Sequence, residues 1–146
     1  MANVKGCNLP DELLYDVENH IWFQEQGDGT VKLGMTTVAT AMAGQLVAFT
    51  PKKIGRSIDA GKSCATVESG KWVGPAKSAA AGEVVKVNDD LVADPTIANQ
   101  DPYEKGWFII LKPADWDTVK GSLTPGSAVT PKYEAKMAAD GFAGCA

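Results

Sequence analysis

Glycine cuts this chain into pieces too short for a helix bundle. Fifteen glycines and eight prolines fall within 146 residues. Glycine accepts the positive φ that tight hairpin turns need, so this punctuation predicts many short strands joined by turns. Ile21-Trp22-Phe23 reads as a strand, Gly27-Asp28-Gly29 as a hairpin turn, and Thr30 to Met35 as the returning strand. Thr36 or Thr37 caps a short helix, Val38 to Ala43, that Gly44 ends. The opening segment, Asn8 to Asn19, is polar with a few apolar anchors.

The middle of the chain repeats the theme. Leu46 to Thr50 reads as a strand stopped by Pro51, and Ser57-Ile58 precedes a turn at Asp59 to Lys62. Ser63 to Glu68 alternates, which predicts Cys64, Thr66 and Glu68 on one face and Ala65 and Val67 on the other. Ser69-Gly70-Lys71-Trp72 breaks that pattern, and Gly82 opens a further alternating run to Val87. Asp94-Pro95 has the form of an N-cap followed by proline at the first helical position. Phe108 to Lys112 is a last strand, and Thr130-Pro131 starts a helix that Gly141 ends. The fold expected is mainly β, a sandwich or flattened barrel of short strands with small helices near both ends. The segments Leu46–Lys71 and Trp72–Lys112 hint at two similar halves. One domain is expected over 1–146, with a helix over about 131–140 and a short tail over 141–146.

Charge and cysteine content narrow the functional classes. The net charge of -4 argues against a nucleic-acid partner or an anionic membrane surface. No apolar run approaches the ~20 residues that span a bilayer, and the first ten residues lack the pattern of a secretory signal, so a cytoplasmic protein is expected. The three cysteines form neither a CxxC pair nor a zinc pattern. Cys64 falls in a strand and reads as a small core residue. Cys7 and Cys145 lie near the ends, where disorder is expected; no disulfide framework is predicted, and a bridge between them would be accidental. No constellation of nucleophile, base or metal ligands stands out.

On spacing alone, Lys71 is a solvated lysine at a turn, and Glu68 an exposed strand-end carboxylate. Resemblance gives them more weight. His20-Ile21-Trp22, Gly29 to Met35, Gly61, Val67-Glu68-Ser69-Gly70-Lys71, Gly82 to Asn88 and Asp101 to Phe108 occur in the order seen in the glycine cleavage H-protein family. The stretch from Leu9 to about Lys112 resembles that family throughout. The resemblance implies a lipoyl-type β-sandwich (a barrel-sandwich hybrid) and a carrier that is not itself an enzyme. It implies lipoate attached to Lys71 by a lipoate ligase or lipoyl transferase, with Glu68, Ser69, Gly70 and Trp72 forming the hairpin that is recognised. Gly61 and Gly82 would shape turns, and His20 would pack or hydrogen-bond. Trp22, Trp107 and Phe108 would be core aromatics. A biotin carrier has a related hairpin, but its lysine is usually flanked by methionines.

Departures from the family pattern surround the lysine. Gly70 stands where valine is usual, Trp72 where a small residue is usual, and Val73-Gly74-Pro75 follows. This segment resembles the lipoate-binding proteins associated with heterodisulfide-reductase-like sulfur oxidation. That branch implies a heterodisulfide-reductase-like complex and dihydrolipoamide dehydrogenase as partners, with sulfur at a reduced oxidation level as cargo. The alternative is the glycine cleavage enzymes, with an aminomethyl group as cargo. Trp72 has two readings of equal weight: a shield or partner contact beside the arm, or a residue packed on the neighbouring sheet.

Overall fold

The computed structural model describes residues 2–145. Its strands form two sheets and a terminal hairpin, all pairings being antiparallel. The hairpin is β1 (Ala2–Val4) and β2 (Cys7–Leu9). The larger sheet contains β3 (Leu14–Asp16), β4 (Ile21–Glu25), β5 (Val31–Met35), β7 (Ser57–Ile58), β10 (Gly82–Val87), β11 (Ile109–Pro113) and β12 (Thr124–Pro125), in the order β12-β3-β4-β5-β11-β10-β7. The smaller sheet is β6 (Leu46–Pro51), β8 (Lys62–Ser69) and β9 (Val73–Ser78), in the order β6-β8-β9. Five α-helices accompany them: α1 (Thr37–Ala43), α2 (Asp89–Ala93), α3 (Ile97–Gln100), α4 (Trp116–Ser122) and α5 (Val129–Asp140). The mainly β sandwich is therefore as the sequence predicted. Leu46–Lys71 and Trp72–Lys112 each send strands to both sheets.

Side chains of the two sheets meet in one apolar layer. Phe23, Leu33, Ile109 and Leu111 of the larger sheet share it with Leu46, Phe49, Ala65 and Val67 of the smaller. The Phe49 and Phe108 rings lie 4.7 Å apart across it. A second cluster covers the opposite face of the larger sheet. There Tyr15 and Trp22 pack with Val38 of α1, Leu9 of β2, and Val129, Tyr133 and Met137 of α5. Strand β4 is thus buried on both faces, which is why Ile21-Trp22-Phe23 is apolar without a break.

Two tryptophans lie on glycines. Trp22 pairs across the ladder with Gly34, and a Cβ on Gly34 would sit 2.9 Å from the Trp22 ring. The absent side chain is the space that the indole fills. Its N–H donates to the carbonyls of Met35 (3.1 Å) and Pro102 (3.0 Å), satisfying the polar atom inside the core. Trp72 and Gly74 repeat the arrangement near the surface.

Helix ends follow the capping rules. The Thr36 hydroxyl accepts from Ala39 N–H at the start of α1. Helix α5 begins at Val129, so Pro131 stands in its first turn. Gly141 (φ 68°) ends it in the left-handed region, and Phe142 N–H donates to Met137 C=O beyond it.

Several expectations need correction. The polar opening segment contains β2 and β3, whose Leu9 and Tyr15 are fully buried; strands this short carry too few residues to show a period. Strand β6 runs through Pro51, which an edge strand tolerates. A bulge between Ser63 and Ala65 breaks the phase of β8, so Cys64 and Ala65 are both buried and Cys64 does not share a face with Thr66 and Glu68. Cys64 is a core residue, its thiol pushed up to about 12 by burial. Asp94 does not cap a helix at Pro95. It ends α2, its carboxylate accepts from Thr96 N–H at 3.2 Å, and α3 starts later, at Ile97. Gly82 lies at the start of β10 and not in a turn; a Cβ there would sit 2.3 Å from Lys112 O, so it allows close approach of β10 and β11. Trp22 and Phe108 are core aromatics, but Trp107 is only half-buried, with the Lys32 ammonium 5.6 Å from its ring.

The largest correction concerns the chain ends. Cys7 and Cys145 form a disulfide across a separation of 138 residues. Cys7 is fully buried, and Cys145 N–H donates to Lys5 C=O at 2.9 Å. The partners are too far apart in sequence for spacing to reveal them. Closing a loop this long removes much of the unfolded chain's freedom. The double variant Cys7→Ser/Cys145→Ser should lose about 2–4 kcal/mol, lowering the melting temperature by roughly 5–15 °C. Circular dichroism on heating measures this, and attachment of a group at Lys71 should be unaffected.

Candidate functional site

Lys71 stands at the tip of the β8–β9 hairpin. Ser69 N–H donates to Trp72 C=O at 2.7 Å, leaving Gly70 and Lys71 as the two central residues of the turn. The Ser69 hydroxyl braces that turn, accepting from Lys71 N–H and donating to Trp72 C=O, each at 3.4 Å. Ser69 is buried, whereas Glu68, Gly70 and Lys71 are exposed and Trp72 is partly so. Gly70 does not have a positive φ, and a Cβ on it would meet nothing within 4 Å. The turn therefore does not require glycine there.

The lysine opens onto a groove of about 500 Å³. One wall comes from α1, with Ala39, Met42 and Ala43; another from β8 and β9, with Val67, Pro75 and Ala76. Lys71 and Trp72 stand at one side, while Glu18, Asn19 and His20 form a polar margin. Lys71 Cε lies 3.4 Å from where a Cβ on Gly44 would be, so the side chain runs past the end of α1. The sequence does not show this groove, because its walls come from four separate stretches whose apolar residues read as ordinary core.

His20 is fixed tightly at the margin. Its φ of 58° is in the left-handed region, unusual for a residue with a side chain. Its carbonyl accepts from Thr36 N–H at 3.0 Å, and its Nδ1 meets the Tyr133 hydroxyl at 3.2 Å. The imidazole also stacks on the Tyr133 ring, 5.7 Å between centroids. Asp140 Oδ2 is 3.9 Å from Nε2, and Lys136 bridges Glu18 and Asp140 at 3.4 and 3.5 Å. This is the hydrogen-bonding role expected of His20.

Among the described residues, no group of three or more His, Cys, Asp or Glu side chains can hold a metal. No helix among them is long and apolar enough to cross a membrane. Lys71 presents an exposed primary amine beside an apolar groove.

The glycine cleavage H-protein family matches residues 13–136. The chain belongs to that family. Glycine cleavage system H protein 5 of Aquifex aeolicus (strain VF5) is 49% identical over 127 residues, covering 84% of this chain and 85% of that one. Probable glycine cleavage system H protein 2 of Sulfurisphaera tokodaii is 40% identical over 136 residues, covering 92% of each. A crystal structure of the H protein from Mycobacterium marinum aligns with a TM-score of 0.75 at 32% identity, covering 88% of this chain and 98% of that one. H proteins are carriers and not catalysts, and their cofactor is lipoate held covalently on a lysine.

Burial pushes the His20 pKa below its ordinary value, and Lys136 adds to this, while Asp140, Asp16 and Glu18 oppose it. The folded state therefore favours neutral imidazole. Stability from this term is present above the unfolded pKa of about 6.5 and falls as pH drops toward the lowered folded value. Melting temperature should decline between about pH 7 and pH 5.5. His20→Asn, which suits the left-handed backbone and does not titrate, should flatten that slope.

Proposed function

We propose that Lys71 is the lipoyl attachment site and that the groove beside it receives the arm. The observation that carries this reading is an exposed lysine on a two-residue turn at the rim of an apolar groove. The turn presents the amine to a lipoate ligase or lipoyl transferase, and Glu68, exposed on the adjoining strand, marks the hairpin for it. Ser69 contributes by holding the turn's shape. The groove suits the group: methylene chain and dithiolane are apolar, and Met42, Ala43 and Val67 offer apolar contact. Lipoate supplies a disulfide that exchanges with thiols or takes up two electrons and two protons. The protein contributes position, shelter and a docking surface. Co-expression with a lipoate ligase should add one lipoyl mass, mapping to Lys71 alone. Lys71→Arg should fold normally and remain unloaded, because a guanidinium does not form the amide. Lipoate on another lysine would refute the assignment.

The partner is inferred from the surface nearest the arm. We read the chain as a cytoplasmic component of heterodisulfide-reductase-like sulfur oxidation, working with dihydrolipoamide dehydrogenase and carrying reduced sulfur. Two observations favour this over service to the glycine cleavage enzymes. Trp72 and Val73 present apolar surface next to Lys71, where any partner must approach. The relatives also occur as numbered sets within single organisms, including H proteins 2, 3 and 5 of Aquifex aeolicus; one glycine cleavage pathway needs one carrier. An aromatic contact at a docking surface gives roughly tenfold discrimination. Reconstituted glycine cleavage enzymes should therefore decarboxylate glycine at about a tenth or less of the rate they reach with a genuine H protein. Gly70→Val with Trp72→Ser should raise that rate. Turnover equal to a genuine H protein's would assign the chain to glycine cleavage instead.

A further inference from the structure

Trp72 is a large apolar side chain at the tip of an exposed hairpin, yet only 40% of it is accessible. The reason is Gly74. It stands two residues further along β9, on the same side of the strand. A Cβ on Gly74 would sit 2.4 Å from Cζ2 of the indole, 2.9 Å from Cε2 and 3.1 Å from Cη2. The ring lies flat on the bare backbone, and any side chain at 74 would lift it. Gly74 does not have a positive φ, so its backbone does not need glycine. Its lack of a side chain serves the indole.

The seated ring lines the groove together with Pro75 and Ala76 and faces the α1 wall that carries Met42. This is the same device as Trp22 on Gly34, but with an opposite outcome. Trp22 is sealed in the core, whereas Trp72 stays accessible beside Lys71. Val73, whose side chain points the other way, is 62% exposed and takes no part in the groove.

We propose that the Trp72 indole, held down by Gly74, is a positioning residue that walls the groove and shelters the arm attached to Lys71. The proposal rests on Lys71 being the lipoyl site. It gives Trp72 a contact with the carrier's own cargo on the groove side, in addition to the face that it leaves exposed to a partner. An indole face offers dispersion to methylenes and a favourable contact to sulfur, so both parts of the arm suit it.

The test uses the full chain loaded by a lipoate ligase, with intact mass confirming loading at Lys71. Absence of loading would refute the carrier reading itself; the indole signal is compared between unloaded and loaded chain, and reduction rates between loaded variants and loaded parent. The four tryptophans give separate indole N–H signals by NMR, and Trp72→Phe identifies the one that matters. Loading should shift that signal. A second readout is reduction of the dithiolane by a small phosphine, followed by loss of its near-ultraviolet absorbance. Trp72→Ala and Gly74→Ala should each speed reduction about fivefold, and Trp72→Phe less. Gly74→Ala is decisive because the indole remains but cannot lie down. Melting curves establish that each variant is folded. An indole signal unmoved by loading, or Gly74→Ala reducing at the parent rate, overturns the proposal. So does a signal that moves only when a partner enzyme is added.

Discussion

The structure depends on the way Trp22 is held in the larger sheet. One indole fills the space left by Gly34 and binds two carbonyls, one at the end of β5 and one from the loop at Pro102. A buried N–H without partners would be costly, so those carbonyls fix the ring's orientation. Because Trp22 faces one apolar cluster while Ile21 and Phe23 face the other, β4 joins both halves of the core. Helix α5 and the terminal hairpin have a surface to pack on because that side of the sheet is apolar.

The groove beside Lys71 is a product of this arrangement. Its α1 wall is set by the Thr36 cap and by the Thr37 hydroxyl, which donates to Asn8 C=O at 2.8 Å and so ties α1 to the terminal hairpin. The Tyr103 hydroxyl accepts from Thr37 N–H at 3.0 Å and donates to Asn8 C=O at 2.6 Å, locking the same corner. On the polar margin, Tyr133 of α5 reaches His20 and Thr36 together. An exposed hairpin tip thus stands against walls that are anchored from both sides of the sheet. An arm carried by Lys71, as proposed, would move over a surface that these contacts hold in place.

The elements legible in the sequence were those with a strong local cause. Asp28 between two glycines marks a hairpin whose glycines adopt positive φ, and Thr36 and Gly141 announce helix ends. The lysine turn was legible through its neighbours Glu68 and Ser69. What escaped was non-local or out of phase. The bulge at Ser63 to Ala65 erased the alternation of β8. The helix at Asp89–Ala93 is short and relies on the Asn88 side chain, which accepts from Leu91 N–H and donates to the carbonyls of Lys105 and Trp107. The pairing of Trp72 with Gly74 left only a tryptophan and a glycine two residues apart, a pattern with no meaning until the ring is seen lying down. His20 read as a packing residue, and nothing in its sequence context disclosed a left-handed backbone at the edge of a groove.

The bridge between Cys7 and Cys145 also makes the molecule a ring. Their Cα atoms are 5.0 Å apart, so nearly the whole chain runs out and back between two adjacent points. Anything joined before the first cysteine or after the second leaves from the terminal hairpin. Tension applied at the N-terminus loads the short terminal hairpin first, and tension from either end is borne by a covalent bond before it reaches the two sheets. A carrier tethered at one end, at the other, or at both would hang from its support in the same orientation.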